Sequence, residues 1–368
     1  SVDHVIAQVA GHILDIPEDS LWLTVIVCGV MLLQATIHIF GVRLADRINS
    51  AAVFTEIVGM VGLVLVFAVI AIRDRPATDL LFSRGLVPAE APFLATFLMG
   101  CLMGAYTLVG FESAANLSEE TVAAETTVPR AMIWSVLVSG GVGTLFLVLT
   151  VLGIDDIATV TGSAYPLPLI IETNLGHTMS LAFFVLVIIS VFACGLVIMA
   201  SGSRLIYAMT RDNVFFASRV FGRVSTRSAV PVPAILAVMS LGIFAEVFSG
   251  SIEQLLLAAA VLPAVVYLVT VVAYMTRRQD LPTRFGTFSL GRWGLPVAGL
   301  ATCWLVLVIL ILTVPETFRT TACVSLVVCL AGTIPWFGWI RHRVATGKAG
   351  IADFDPASSH PPGDREPE

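Results

Sequence analysis

The stretch Gly100-Cys101-Leu102-Met103-Gly104-Ala105-Tyr106-Thr107-Leu108-Val109-Gly110-Phe111-Glu112-Ser113-Ala114-Ala115-Asn116-Leu117-Ser118-Glu119-Glu120 begins as an apolar helix and does not read as one throughout. Gly100 and Gly104 stand one turn apart, a spacing that lets another membrane helix approach closely. Gly110 can leave helical geometry at little steric cost, and an acid follows almost at once. If the helix opens between Thr107 and Gly110, carbonyls at the end of its first half lose their partners. They then present a negative dipole end, where an ammonium group is favoured. Glu112 falls in the first turn of the second half, where the positive dipole end stabilises its charge. Glu112 also reads as a helix-end acid wetted by the membrane interface, and the two earlier glycines as plain packing residues.

The surroundings of this stretch are apolar on the scale of the whole chain. Of 368 residues, 57% are hydrophobic and 12% charged, with a mean hydropathy of +0.94. A soluble protein carries about 25% charged residues, so the solvent for most of this surface is lipid. A nucleic-acid partner, a disordered chain and a collagen-like chain are excluded on the same ground. Nine segments have roughly the 20 apolar residues that a span requires: Leu21 to Phe40, Ala51 to Ile72, Pro92 to Phe111, Ala131 to Leu152, Ser180 to Ser203, Pro231 to Phe248, Gln254 to Tyr274, Gly294 to Thr313 and Thr320 to Ile340. The expectation is an all-α membrane protein with about nine transmembrane helices. Residues 1–20 read as an external segment, 21–341 as the transmembrane domain and 342–368 as a cytoplasmic tail that is disordered where Pro, Ser, Asp and Glu dominate.

Inside these spans the ionisable residues are Glu56, Glu246 and His38, with no Lys or Arg. Glu246 and His38 lie near span ends and are expected to be wet, His38 by snorkelling. All six cysteines fall inside spans and read as small apolar residues rather than disulfide or metal partners. No His-Glu-x-x-His metal motif or Gly-x-Ser-x-Gly elbow occurs, so neither an enzyme nor a cofactor is expected.

Basic residues accumulate in cytoplasmic loops. With the loop after Phe40 placed inside, 16 of the 20 Lys and Arg lie on one side, leaving Arg73, Arg75, Arg84 and Arg319 on the other. That orientation puts the C-terminus in the cytoplasm and the N-terminus outside. Ser1 to Ser20 has no charged and apolar export signal, so an odd number of helices is expected to be missing upstream.

Gly110-Phe-Glu-Ser-Ala-Ala-Asn-Leu-Ser-Glu-Glu-Thr121 with Val128-Pro-Arg-Ala131 resembles the sixth-helix signature of the amino acid/polyamine/organocation permeases, particularly their amino acid and choline branch. Ser203-Arg-Leu-Ile-Tyr-Ala-Met-Thr-Arg-Asp212 with Pro231-Val-Pro233 is similar to the end of that family's eighth helix and the start of its ninth. Phe288-Ser-Leu-Gly-Arg-Trp-Gly-Leu-Pro296 with Pro315-Glu316 is similar to the loop and eleventh helix. The resemblance implies a partial LeuT-like fold, a five-plus-five inverted repeat, with the nine spans as family helices four to twelve and three helices absent. It implies a secondary transporter for an amino acid or related amine, working by alternating access with a proton, in the cell membrane. Tyr106, Thr107, Leu108, Val109, Gly110, Phe111 and Glu112 then contact the solute, with Tyr106 as a platform for a cationic group. A chain lacking the first helix is expected not to transport alone. A non-transporting scaffold or substrate sensor derived from a permease is the other class compatible with the sequence.

Two departures stand out: Val122-Ala-Ala-Glu-Thr-Thr127 where relatives carry a basic, Asn-Pro-containing run, and Asn213-Val-Phe-Phe216 where a Gly and a Leu-Pro pair are typical. Glu56 is a second proton-coupling candidate beside Glu112, since an intramembrane acid is functional by default; it reads equally as an acid paired with Arg43 or Arg47. Glu119 and Glu120 with Arg204 and Arg211 are gate candidates, or a solvated loop whose exposed pairs contribute about 0 to 1 kcal/mol. Pro166 to Gly176 reads as a short external helix. Ser190, Cys194 and Gly195 form a small-residue patch that suits helix packing or a cavity wall.

Overall fold

The computed structural model describes residues 2–14, 16–17, 21–73, 78–88, 92–225, 230–248, 252–279, 288–315 and 318–349. Every element among them is helical. The first half comprises α1 (Val2–Ile13), α2 (Leu21–Phe40), α3 (Val42–Arg73), α4 (Thr78–Leu81), α5 (Phe93–Thr107), α6 (Ser113–Asn116), a single 3-10 turn (Ser118–Glu120) and α7 (Ala124–Leu152). There follow α8 (Ile157–Gly162), α9 (Pro166–Leu175), α10 (His177–Arg211), α11 (Ser218–Phe221), α12 (Val232–Phe248), α13 (Ile252–Arg277), α14 (Gly294–Thr313), α15 (Arg319–Pro335) and, after a π-helical turn, α16 (Arg341–Ala345).

All nine apolar segments are helical, and six helices among the described residues are long and apolar enough to cross a membrane. The segment from Pro92 is the exception in form, because its helix stops at Thr107. The lipid-facing character is plain in α3, 32 residues long, which buries only Ala45, Ala52 and Phe67. Turn chemistry separates the rods. Gly41, at φ +135°, reverses the chain between α2 and α3, in a region open to glycine and poorly accessible to other residues. Asp156 caps α8 by accepting from the Ala158 and Thr159 amides at 3.0 and 3.3 Å, as an N-cap acid does. Pro166 opens α9 and Gly176 closes it, so the short helix expected between them is present.

The packing has two centres. α10 runs against α1, α2, α3, α9 and α12, and α1 and α12 also pack on α2. Elsewhere α13 packs on α14 and α15, and α5 touches α14. The stretch read as an external segment therefore contains a helix that belongs to the bundle: α1 buries Asp3, Ile6, Ala7, Val9 and Gly11. Its polar residues hid it, since Asp3, His4, Gln8 and His12 break the apolar run that a span search needs. Neighbouring helices supply the burial. Ala7 packs with Leu23, Val27 and Met31 of α2, and His12 lies 4.4 Å from the Tyr165 ring and 5.2 Å from that of Phe184.

Candidate functional site: a helix broken at Gly110

After Thr107 the backbone leaves the helix, and Gly110 takes φ +107°, a conformation that L side chains rarely adopt. Helical bonding resumes at Ser113, whose amide donates to the Gly110 carbonyl at 3.1 Å. Glu112 occupies the N-cap position of α6, yet its side chain caps nothing there. One carboxylate oxygen instead accepts the Gly110 amide at 3.0 Å and the hydroxyl of Tyr267, which reaches over from α13. The acid is thus held by hydrogen bonds across the break rather than by the dipole of a second half-helix, because α6 is only four residues long. The Phe111 and Tyr267 rings lie 5.2 Å apart, tilted by 36°.

Beside this junction is a cavity of about 640 Å³. Leu108, Val109 and Phe111 line it from the break, with Tyr267 from α13 and Trp304 and Leu305 from α14. Of the other expected solute contacts, Thr107 closes α5, Gly110 forms the turn and Glu112 precedes α6, and none of the three lines this cavity. The side chain of Tyr106 lies outside the described residues. Among the described residues Gly100 and Gly104 make no close helix contact, since a Cβ at either would meet none of their atoms within 4 Å.

Below the break, three rungs tie the chain to α10. Asn116 donates to the Ser201 hydroxyl at 2.6 Å. Arg204 grips Glu120 through two hydrogen bonds of 2.5 and 2.8 Å, and Arg211 grips Glu119 through two of 2.8 and 3.0 Å. All four gate candidates are therefore paired, in the two-pronged geometry that suits guanidinium and carboxylate. Hydrogen bonding from Arg211 holds the Glu119 carboxyl below its ordinary range, and Glu119 in turn raises Arg211 above the usual guanidinium value, helped by Asp212.

Glu56 is half-buried in α3. Among the described residues it forms no ion pair with Arg43 or Arg47. His38 does not snorkel: it is buried, with Nε2 donating to the Leu196 carbonyl at 2.9 Å. Glu246 is not wet either, since its side chain is 4% exposed and meets His4 Nδ1 at 2.5 Å. Gly195 serves packing, because a Cβ there would lie 2.2 Å from Gln34 Nε2 and 2.8 Å from Asp3 Oδ1. Sequence reasoning passed over Asp3, His4, Gln34 and Tyr267. Gln34 was visible as an amide in the middle of an apolar span, whereas the partner that Tyr267 takes lies 155 positions away and leaves no local signal.

Residues 4–334, which include the broken helix and the clasp beneath it, match a family model described as amino acid permease. The chain belongs to that family. It is an integral membrane protein. It is 25% identical to the amino-acid permease BAT1 of Arabidopsis thaliana, over 80% of this chain and 60% of that protein. It is 29% identical to the GABA-specific permease of Saccharomyces cerevisiae, over 60% and 40%. Identity to the low-affinity putrescine importer PlaP of Escherichia coli is 23%, over 62% and 50%. The permease chain thus spans 40 to 60% of the length of these relatives.

Proposed function

We propose that this permease is a secondary active transporter carrying an amino acid or related amine by alternating access, as a proton symporter of the plasma membrane with its C-terminus in the cytoplasm. The observation that carries the reading is the break at Gly110, where a carboxylate bonds to the backbone of one helix and the hydroxyl of another. Non-helical backbone at membrane depth is tolerated where it lines a cavity, and discontinuous helices are where transporters build solute and ion sites. Residues 106–112 contact the solute, with the Glu112 carboxylate facing its ammonium group. Relatives named for amino acids, GABA and putrescine support an amine-bearing solute. Proton uptake by Glu112 weakens its bonds to Gly110 and Tyr267, which couples the proton to the shape of the break. Glu56, which enters no ion pair among the described residues, is the second proton candidate. The Glu119–Arg211 and Glu120–Arg204 pairs form the inner gate.

The test is uptake of labelled amino acids and amines into liposomes holding the protein expressed from its complete reading frame, at acid and neutral external pH. Saturable, pH-dependent uptake that Glu112→Gln abolishes is expected. Uptake and pH dependence unchanged by Glu112→Gln would remove that residue from the mechanism.

A further inference from the structure

One end of the group α13, α14 and α15 collects basic side chains. Tyr274, in the last turn of α13, and Arg278 just past it close on the start of α14. A Cβ on Gly294 would lie 2.6 Å from the Tyr274 hydroxyl and 3.4 Å from the Arg278 guanidinium carbon, and Arg278 donates to the Gly291 carbonyl at 2.6 Å. Val261 and Ala264, in the first half of α13, pack with Val308 and Leu312 in the last half of α14, so the two helices are antiparallel. α15 follows α14 after a short connection and packs on α13, which returns the π-helical turn (Trp336–Ile340) and α16 to the end that holds Arg278. α14 is 20 residues long, about 30 Å, the thickness of the hydrocarbon core of a bilayer. Arg292 and Trp293, which precede it, therefore stand at a lipid–water boundary.

Arg277, Arg278, Arg292, Arg341, Arg343 and Lys348 gather here. Among the described residues α14, α15 and α16 contain no Asp or Glu, and the acid of α13, Glu253, stands at its opposite end. Arg278, Arg292, Arg341, Arg343 and Lys348 enter no ion pair among those residues. Arg204 and Arg211 of α10, in contrast, are neutralised by Glu120, Glu119 and Asp212. Three arginines of the basic end lie against rings instead. Arg278 is 6.0 Å from the centre of Tyr274, Arg292 is 5.9 Å from that of Trp293 and Arg343 is 4.6 Å from that of Trp339. A ring orients a guanidinium without cancelling its charge, so the charge stays available to an outside anion. Trp293, Trp336 and Trp339 are exposed, as are indoles that anchor at the headgroup level of a membrane.

The combination selects the partner. A cation is repelled, and a zwitterionic lipid carries its own cation beside its phosphate. A soluble polyanion would satisfy the arginines and leave the indoles without apolar cover. An anionic phospholipid supplies phosphate oxygens and acyl chains at one depth, and guanidinium has the planar, forked donors that suit phosphate. We infer that this end of α13, α14, α15 and α16 is a binding surface for the headgroups of anionic phospholipids, with Arg292, Arg341 and Arg343 on phosphate and Trp293, Trp336 and Trp339 against the upper acyl chains. It rests on membrane insertion alone and not on the transport reading.

The test is native mass spectrometry of the detergent-solubilised 368-residue chain, titrated with phosphatidylglycerol or with phosphatidylcholine of the same acyl chains. Phosphatidylglycerol is expected to be held about tenfold more tightly or better, with the preference shrinking at high salt. Arg292→Gln alone should weaken it about fivefold, the scale of one basic residue near an anionic surface. Arg292→Gln, Arg341→Gln and Arg343→Gln combined should remove the preference, while lysine at the same three positions should keep most of it. Glutamine at Arg43, Arg219 and Arg223, basic residues of other loops, should leave it intact. The proposal is overturned if the two lipids bind alike, if glutamine and lysine at the three positions weaken binding equally, or if the variant in the other loops loses the preference and the first keeps it. A preference that emerges only after Asp353, Asp355, Asp364, Glu366 and Glu368 are changed to their amides would also overturn it, by assigning the basic end to the chain's own acidic tail.

Discussion

The group α1, α2, α10 and α12 and the junction of α5, α6 and α13 both hold acids in an apolar bundle, and they treat them in opposite ways. In the first, Asp3 accepts from Gln34 at 2.7 Å, His4 meets Glu246 at 2.5 Å, and Gly195 lets these side chains close on α10. Polar groups and backbones are packed so tightly that one methyl group has no room. In the second, a single carboxylate bridges a non-helical backbone and a tyrosine at the edge of a cavity of about 640 Å³. A close-packed polar network resists rearrangement, whereas at the break a Cβ on Gly110 would meet no described atom within 4 Å. The first group is packed as a frame, and the second is the more loosely packed of the two.

Removing one partner from the frame should have the largest effect. His4→Leu strands a buried carboxylate, and a loss of about 3 kcal/mol is expected, read as a fall in unfolding temperature in detergent. Gly195→Ala should cost about 2 kcal/mol by overpacking, with a similar substitution at Gly104 close to neutral because its Cβ position is open. If both alanines cost the same, the frame and the broken helix do not differ in packing.

At the break, Gly110→Ala forces a side chain into φ +107° and should cost about 1–2 kcal/mol while eliminating uptake. Tyr267→Phe should cost about 1 kcal/mol and shift the pH dependence of uptake, since one of two bonds to Glu112 is lost. The smallest effect belongs to the clasp: a double-mutant cycle on Glu119 and Arg211 should give no more than about 1 kcal/mol, because the pair is largely exposed. Its sign with pH is determined. Glu119 lies below its usual value of 4.5 in the folded state, so the contribution is complete above that value and disappears as pH falls through the lower folded one. Melting compared at neutral and strongly acid pH, with and without Glu119→Gln, checks this.

Length and apolarity were enough to locate the spans, and Gly110 beside Glu112 was enough to locate the break, because both are local properties of the chain. The pairing of Glu119 and Glu120 with Arg211 and Arg204 was also within reach, since opposite charges stood at ends of elements facing one loop layer. What escaped depended on which faces meet. α1 is too short and polar to resemble a span, and only the neighbours that bury Asp3 make it part of the bundle. His38 and Glu246 were read by their nearness to span ends, but α10 and α1 cover them. Tyr267 looked like any aromatic residue in a membrane helix until its hydroxyl had a partner.

α10 is 35 residues long and contains no proline, so at 1.5 Å per residue it is a rod of about 50 Å. Its N-terminal end is fastened to α9, where Ser180 donates to the Pro168 carbonyl at 3.1 Å, and its C-terminal end carries Arg204 and Arg211. A displacement at one end arrives at the other with little loss, as it would along a pushrod. The short helix α9 and the ion pairs of Arg204 and Arg211 are therefore in mechanical series along one rod.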